Sequence, residues 1–257
     1  MSDIDQSKMP LLEHLIELRN RLLWCFAALA VAFGICFYFA QPIYGWLVQP
    51  LKNVGQNKLI YTDIFEAFFV QVKVGLFAAM MLSFPVFATQ IWRFVAPGLY
   101  RNEKKAFLPF LLMTPLLFAL GAALAYYGAM PVALKFLLGF QGDVGGITQE
   151  ALPGVGNYLS FSTKFIFGFG VAFQLPVLLM LLERAGIVTR AQLISGRRYA
   201  IVGAFAIAAV LTPPDVVSQL LLAIPLCLLY ELAIIAIWFT QRKRDKAEET
   251  EEVATTA

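Results

Sequence analysis

The chain has 257 residues, 60% of them hydrophobic and only 14% charged, with a mean hydropathy of +0.72. A soluble domain carries about a quarter charged residues, so the composition excludes an ordinary soluble globular protein. The net charge is only +3, with a single histidine and three cysteines, which leaves little material for a metal centre or a nucleophilic site.

The chain opens on a polar segment and then an amphipathic one, Pro10–Leu22. Pro10 suits the first position of a helix. Leu11, Leu15, Leu18 and Leu22 recur at spacings of 4, 3 and 4 and form one apolar stripe, with Glu13, Glu17, Asn20 and Arg21 on another face. Glu17 and Arg21 stand four apart in the favourable order for an ion pair. Two readings of the segment stay open. It is either an interfacial lead-in to the membrane, or a surface for something cationic, since carboxylates are repelled by an anionic inner leaflet.

The first apolar span is 22–40. Ala28-Leu29-Ala30 resembles a cleavage site, but the apolar run continues past it, and Glu13 and Glu17 precede it where a signal peptide is basic. The span is expected to be retained. The gap to about Glu66 holds Tyr44, Trp46, Tyr61 and Phe65, ring types that favour a membrane interface. The second span is 70–92. Next comes the gap Ile91–Ala106, where Trp92, Phe94, Leu99 and Tyr100 offer apolar surface, Pro97-Gly98 predicts a turn, and Glu103 is the sole acid among four bases, either a local charge partner in a solvated basic loop or part of a binding surface. The third span is 106–130. A glycine-rich loop follows to about Ser160, and then a fourth span, 162–183.

The fifth span, 199–212, is short. About 13 residues at ~1.5 Å each cover roughly 20 Å, less than a ~30 Å hydrocarbon core, so the bilayer thins there or a partner covers the mismatch. Thr212-Pro213-Pro214-Asp215 ends it: the prolines stop the helix and Asp215 is placed to cap the sixth span, 216–240. Residues 1–241 form a single six-helix membrane domain. The charged tail, 242–257, is expected to be disordered. Pro85, Pro109, Pro115, Pro176 and Pro225 interrupt the spans and predict kinks, read as a rigid, bent scaffold with a moving hinge as the alternative.

The basic residues orient these spans. Lys8, Arg19 and Arg21 precede the first span. Arg93, Arg101, Lys104 and Lys105 follow the second, Arg184, Arg190, Arg197 and Arg198 the fourth, and Arg242, Lys243, Arg244 and Lys246 the sixth. These are fifteen of the twenty Lys and Arg residues. Cytoplasmic loops retain positive charge, so both termini lie in the cytoplasm. The fold class is an all-α polytopic protein of the cytoplasmic (inner) membrane, with the lipid bilayer as its solvent.

Several functions are excluded. There is no phosphate-binding loop, no Ser/His dyad and no pair of intramembrane aspartates. No cofactor, metal or nucleic acid is expected, and the chain reads as no enzyme. Cys25, Cys36 and Cys227 lie inside apolar runs as small core residues. Any work is driven from outside the chain, for example by the membrane potential, at ~2.3 kcal/mol per charge per 100 mV. What remains is a pair of carboxylates, Glu17 and Glu103, on one membrane face. Two carboxylates suit two guanidinium groups, which bind them bidentately.

Three segments carry a resemblance: HLIELRNRL at His14–Leu22, FVAPGLYRNEKK at Phe94–Lys105 and LTPPDVVSQ at Leu211–Gln219. With Ala67-Phe68-Phe69, Ala125-Tyr126, Tyr158-Leu159-Ser160-Phe161 and Leu222-Ala223-Ile224-Pro225, the chain from about Pro10 to Trp238 resembles the TatC family of the twin-arginine protein translocase. The resemblance implies a glove-shaped six-helix receptor with short fifth and sixth helices that exports folded proteins bearing twin-arginine signal peptides, powered by the proton-motive force. It implies Glu17 and Glu103 as the signal-binding acids, with Arg19, Phe94, Pro97, Leu99 and Tyr100 around them. It implies structural or docking roles for Pro50, Tyr126, Asp215 and Gln219. The implied partners are the single-span TatA and TatB subunits, TatB packing near the fifth helix, and further copies of the chain itself. One position departs: where the family often has Glu, this chain has Gln174, which can hydrogen-bond but cannot ionise. A small-solute transporter is the main rival, but no internal repeat relates residues 1–130 to 131–257, and the ionisable groups are read as lying near the membrane surfaces, with the fourth span offering only Gln174 at mid-depth.

Overall fold

The computed structural model describes residues 3–99, 108–212 and 215–256. Its helices are α1 (Asp3–Tyr38), α2 (Ala40–Leu47), α3 (Gln49–Asn53), α4 (Glu66–Leu99), α5 (Leu108–Ala123), α6 (Met130–Leu138), α7 (Val155–Ala172), α8 (Leu175–Arg184), α9 (Arg190–Ser195), α10 (Arg197–Leu211) and α11 (Val216–Thr256). A π-helical segment, Leu124–Ala129, joins α5 to α6. Five stretches are long and apolar enough to span a bilayer: Leu15–Tyr38, Glu66–Phe94, Phe110–Leu138, Val155–Arg184 and Val216–Arg242. The remaining predicted span is α10, short as expected at 15 residues; the sixth helix, α11, also expected to be short, instead runs 41 residues.

Two compact units divide the chain: Met1–Leu116 with Leu137–Thr163, and Leu117–Phe136 with Lys164–Ala257. In the first, α1 and α2 pack along α4. Ala32, Cys36 and Ala79 form the buried seam, lined by Leu29, Phe33 and Ile43. Gly75 lets the helices approach, because a Cβ there would lie 3.1 Å from the Phe37 backbone. Without a hydrophobic drive between helices in lipid, such small-residue seams are what permit close van der Waals contact. The buried Tyr158 hydroxyl donates to the Leu47 carbonyl at 2.8 Å, tying α7 to the end of α2.

In the second unit, Leu179, Leu193, Tyr230, Ala233, Ile234 and Ile237 make a buried cluster. Glycines again set the approach: a Cβ on Gly121 would sit 2.6 Å from the Phe169 carbonyl oxygen, and one on Gly170 2.6 Å from the Phe118 ring.

Proline explains the interruption of the fourth span. Pro176 lacks an N–H, and its ring clashes with the carbonyl four residues earlier. That residue is Ala172, where α7 stops. The helix restarts as α8 with Gln174 at its N-cap and Pro176 inside the first turn.

Four details differ from the sequence expectations. The helix α4 runs through Pro97-Gly98 to Leu99, so no turn forms there; Pro97 lacks only the N–H that would pair with the Arg93 carbonyl one turn back, and a helix that ends two residues later loses that single bond. The gap after α1 contains α2 and α3 rather than loop alone. The glycine-rich outer loop holds a two-stranded antiparallel hairpin, β1 (Gly142–Val144) and β2 (Ile147–Gln149), in register Val144 to Ile147. Gly145 and Gly146 take φ of +63° and +87°, as a two-residue hairpin turn requires. Finally, α11 continues through the tail to Thr256; the Lys, Arg, Glu and Ala that make the tail polar are also strong helix formers.

Candidate functional site

The first unit gathers part of the predicted arginine site. Glu17 lies on α1, partly buried. Arg21, one turn on, donates from Nε to Glu17 Oε1 at 3.1 Å, and its Nη2 reaches the same oxygen. The Arg21 Nη1 points at the Gln90 carbonyl on α4, 3.5 Å away. This brings Glu17 beside the end of α4 that carries the second motif, because Gln90 stands one turn before Phe94. Arg19 is exposed, and Phe94 is partly buried. Pro97 and Leu99 lie in the last turn of α4. Tyr100 and Glu103 fall outside the described residues. Trp92 anchors the same end: its buried indole N–H donates to Thr114 Oγ1 on α5 at 2.8 Å, and its ring lies 5.5 Å from that of Phe110.

Pro50 is not part of this group. It is buried in the first turn of α3, beyond the other end of α1.

The second unit holds the remaining predicted positions. Tyr126 is buried within the π segment, edge-on to Tyr127 with ring centroids 4.7 Å apart. Such π insertions occur often at functional positions, and hydropathy carries no sign of them. Gln174 is partly buried at the α7–α8 break. Asp215 caps α11 as its position predicts, Oδ1 accepting the Ser218 N–H at 2.7 Å. Gln219 Nε2 donates to the Phe205 carbonyl at 3.2 Å, linking α11 to α10. Glu231, the one charge in the last span, answers Arg197 at 2.8 Å.

One acid escaped the sequence reading. Glu66, the first residue of α4, accepts through Oε2 from the Thr62 N–H at 2.5 Å, the Thr62 hydroxyl at 2.9 Å and the Asp63 N–H at 3.3 Å, and through Oε1 from the Gly156 N–H at 2.5 Å. It fastens the loop before α4 to the start of α7. Ile60 and Gly154 pair as a parallel bridge beside it. A Thr-x-x-x-Glu spacing at a span's start is the only local signal, and the partner Gly156 is 90 residues away. Among the described residues no group of three His, Cys, Asp or Glu side chains is placed to hold a metal ion.

The fold agrees with comparisons to known proteins. Residues 13–225 match the family model described as Sec-independent protein translocase protein (TatC). The Sec-independent protein translocase protein TatC of Magnetococcus marinus is 49% identical over 252 residues, covering 97% of this chain and 91% of that protein. The corresponding protein of Aquifex aeolicus is 44% identical, covering 93% of this chain and 99% of its own. The crystal structure of a twin arginine translocase receptor, TatC, superposes with a TM-score of 0.77 at 42% identity, covering 89% of this chain and 99% of that one. The chain belongs to the TatC family of Sec-independent protein translocase proteins, multi-pass membrane transport components that are not enzymes.

Proposed function

We propose that this chain is the signal-peptide receptor and core scaffold of a twin-arginine translocase in the cytoplasmic membrane. It recognises the paired arginines of a signal peptide through Glu17 and Glu103 and serves the export of folded cargo driven by the proton-motive force. The observation that carries the reading is that Glu17 already accepts a guanidinium, that of Arg21, through two nitrogens. A carboxylate so disposed suits a signal arginine. Arg19, Phe94, Pro97, Leu99 and Tyr100 furnish the surroundings.

The TatA and TatB subunits are the proposed partners, TatB beside α10, whose 15 residues leave a hydrophobic mismatch for a neighbour to cover. Gln174, Asp215 and Gln219 are the polar groups offered to such neighbours, with Pro50 and Tyr126 in structural support. Further copies of the chain complete the complex.

The test is signal-peptide binding to the purified full chain in nanodiscs. A charge-assisted hydrogen bond contributes about 1.5–3 kcal/mol, so Glu17→Gln and Glu103→Gln each weaken binding roughly 10- to 100-fold at ~1.4 kcal/mol per tenfold. Lys in place of a signal arginine also weakens it, because an ammonium lacks the planar fork. Glu13→Gln is the control, one turn earlier and outside the matching motif. Binding at wild-type strength in both Glu17→Gln and Glu103→Gln sinks the reading, as does a larger loss in Glu13→Gln.

A further inference from the structure

Arg21 is a charged residue at the site that the receptor reading leaves without a task. It follows Glu17 by one turn in the order, acid before base, that favours a helical ion pair. Both Nε and Nη2 converge on Glu17 Oε1. The Arg21 side chain is 19% exposed against 38% for Glu17, so the guanidinium is the more enclosed partner. Its third nitrogen, Nη1, faces the Gln90 carbonyl at 3.5 Å, the outer limit of a hydrogen bond. Arg21 therefore has one full acceptor and, within a small side-chain movement, a second on α4.

We propose that Arg21 is an internal competitor for the arginine-receiving carboxylate: it occupies Glu17 in the empty receptor and yields it to a signal arginine, turning instead to the Gln90 carbonyl. The proposal rests on the reading of Glu17 as a signal-binding acid. The exchange replaces one guanidinium by another, so the partly buried carboxylate never stands without a cation, and the cost of leaving it bare is avoided.

Competition has a quantitative signature. When only a fraction of receptors presents an open site, the apparent dissociation constant rises by the inverse of that fraction. The fraction depends on the Glu17–Arg21 pair and not on the ligand. Every cationic signal is weakened by the same factor, and the ratio of affinities between an arginine and a lysine signal is untouched. Arg21 thus sets the threshold at which weak signals fail to hold, without altering discrimination itself.

The experiment titrates a labelled twin-arginine peptide and its twin-lysine analogue into the full chain in nanodiscs. The receptors are wild type, Arg21→Gln, Arg21→Lys, Glu17→Gln and the Glu17→Gln/Arg21→Gln double variant. Arg21→Gln tightens both peptides by a common factor of about two to ten, spanning a surface helical pair and a charge-assisted one. Arg21→Lys, a cation without the fork, tightens both by less, and carries the test if the Gln variant does not fold. In the Glu17→Gln background Arg21→Gln changes nothing. Weaker binding in Arg21→Gln overturns the proposal, since Arg21 would then be holding Glu17 in place. Unchanged affinity overturns it, because the pair would not compete. Unequal factors for the two peptides overturn it, because Arg21 would touch the signal directly. These three results leave the receptor reading standing. Wild-type binding in Glu17→Gln removes that reading and the competition with it.

Discussion

Glu17 and Glu66 are two glutamates of the same unit, placed near opposite ends of the paired helices α1 and α4, and they hold their ligands in different ways. Glu66 is answered chiefly by backbone: three main-chain N–H groups, from Thr62, Asp63 and Gly156, and the Thr62 hydroxyl. Those donors cannot leave without undoing the loops that carry them. The pairing of Glu17 described above is with a long side chain, Arg21, which has another acceptor within reach. An acid bound by main-chain amides is part of the fold, whereas one bound by a rotatable cation can exchange it. The carboxylate is the same in both; what differs is the rotational freedom of the donor.

The six-span reading of the sequence predicts the two acids at opposite membrane faces, and that topology has an all-or-none test. A cysteine replacing Glu150, between β2 and α7, reacts with a membrane-impermeant thiol reagent on intact cells, while one replacing Arg242 reacts only after lysis. The native cysteines lie within apolar spans. Labelling of both positions from the same side refutes the assignment, and with it the six-span topology.

A smaller effect separates structural from exchangeable roles. Gly156→Ala places a Cβ 2.7 Å from Glu66 Oε1, forcing the acid or its loop to shift at a cost of about 1–3 kcal/mol. The unfolding temperature falls, and signal affinity is unchanged. Glu66→Gln behaves alike, because its amide nitrogen must face one of the donor groups. Reduced signal affinity in a variant that stays folded would make Glu66 part of the binding machinery and erase the distinction.

The smallest effect belongs to Gln174, the position where the family often has an acid. Interhelical polar contacts in membranes contribute about 0.6–2 kcal/mol, so Gln174→Leu weakens subunit docking, read by co-purification of the partner subunits, by about that amount. Signal affinity stays intact and Gln174→Glu is tolerated. Loss of signal binding in Gln174→Leu would mean that Gln174 belongs with Glu17 in function.

The sequence made most of the helices legible, because a spanning segment must satisfy its own backbone and hide its polarity, which leaves a long apolar run. Asp215 was legible as a cap for a local reason: the acid precedes an apolar run after two prolines. The Glu17–Arg21 pair was legible from its i,i+4 spacing. What stayed hidden is non-local or geometric. Nothing near Glu66 announces Gly156, and nothing near Trp92 announces Thr114, since each partner comes from a different helix. The π segment around Tyr126 changes the helical register without changing hydropathy. The reach of α4 past Pro97-Gly98 is not legible because a Pro-Gly pair has the composition of a turn, although a helix can still contain it in its final turn at the loss of a single hydrogen bond.

That reach has a consequence for cargo. At ~1.5 Å per residue, the 34 residues of α4 extend about 51 Å, against a hydrocarbon core of about 30 Å. The apolar stretch Glu66–Phe94 takes up most of that length, so α4 continues past it only as a short stalk to Leu99, and Glu103 follows its tip by four residues in the chain. A stalk fixes elevation. On the receptor reading proposed above, a signal peptide is expected to match the receptor in length as well as in charge, with its arginines separated from its apolar stretch by the distance the stalk prescribes. Lengthening or shortening that separation while keeping both arginines is a mismatch in height that no added charge can correct.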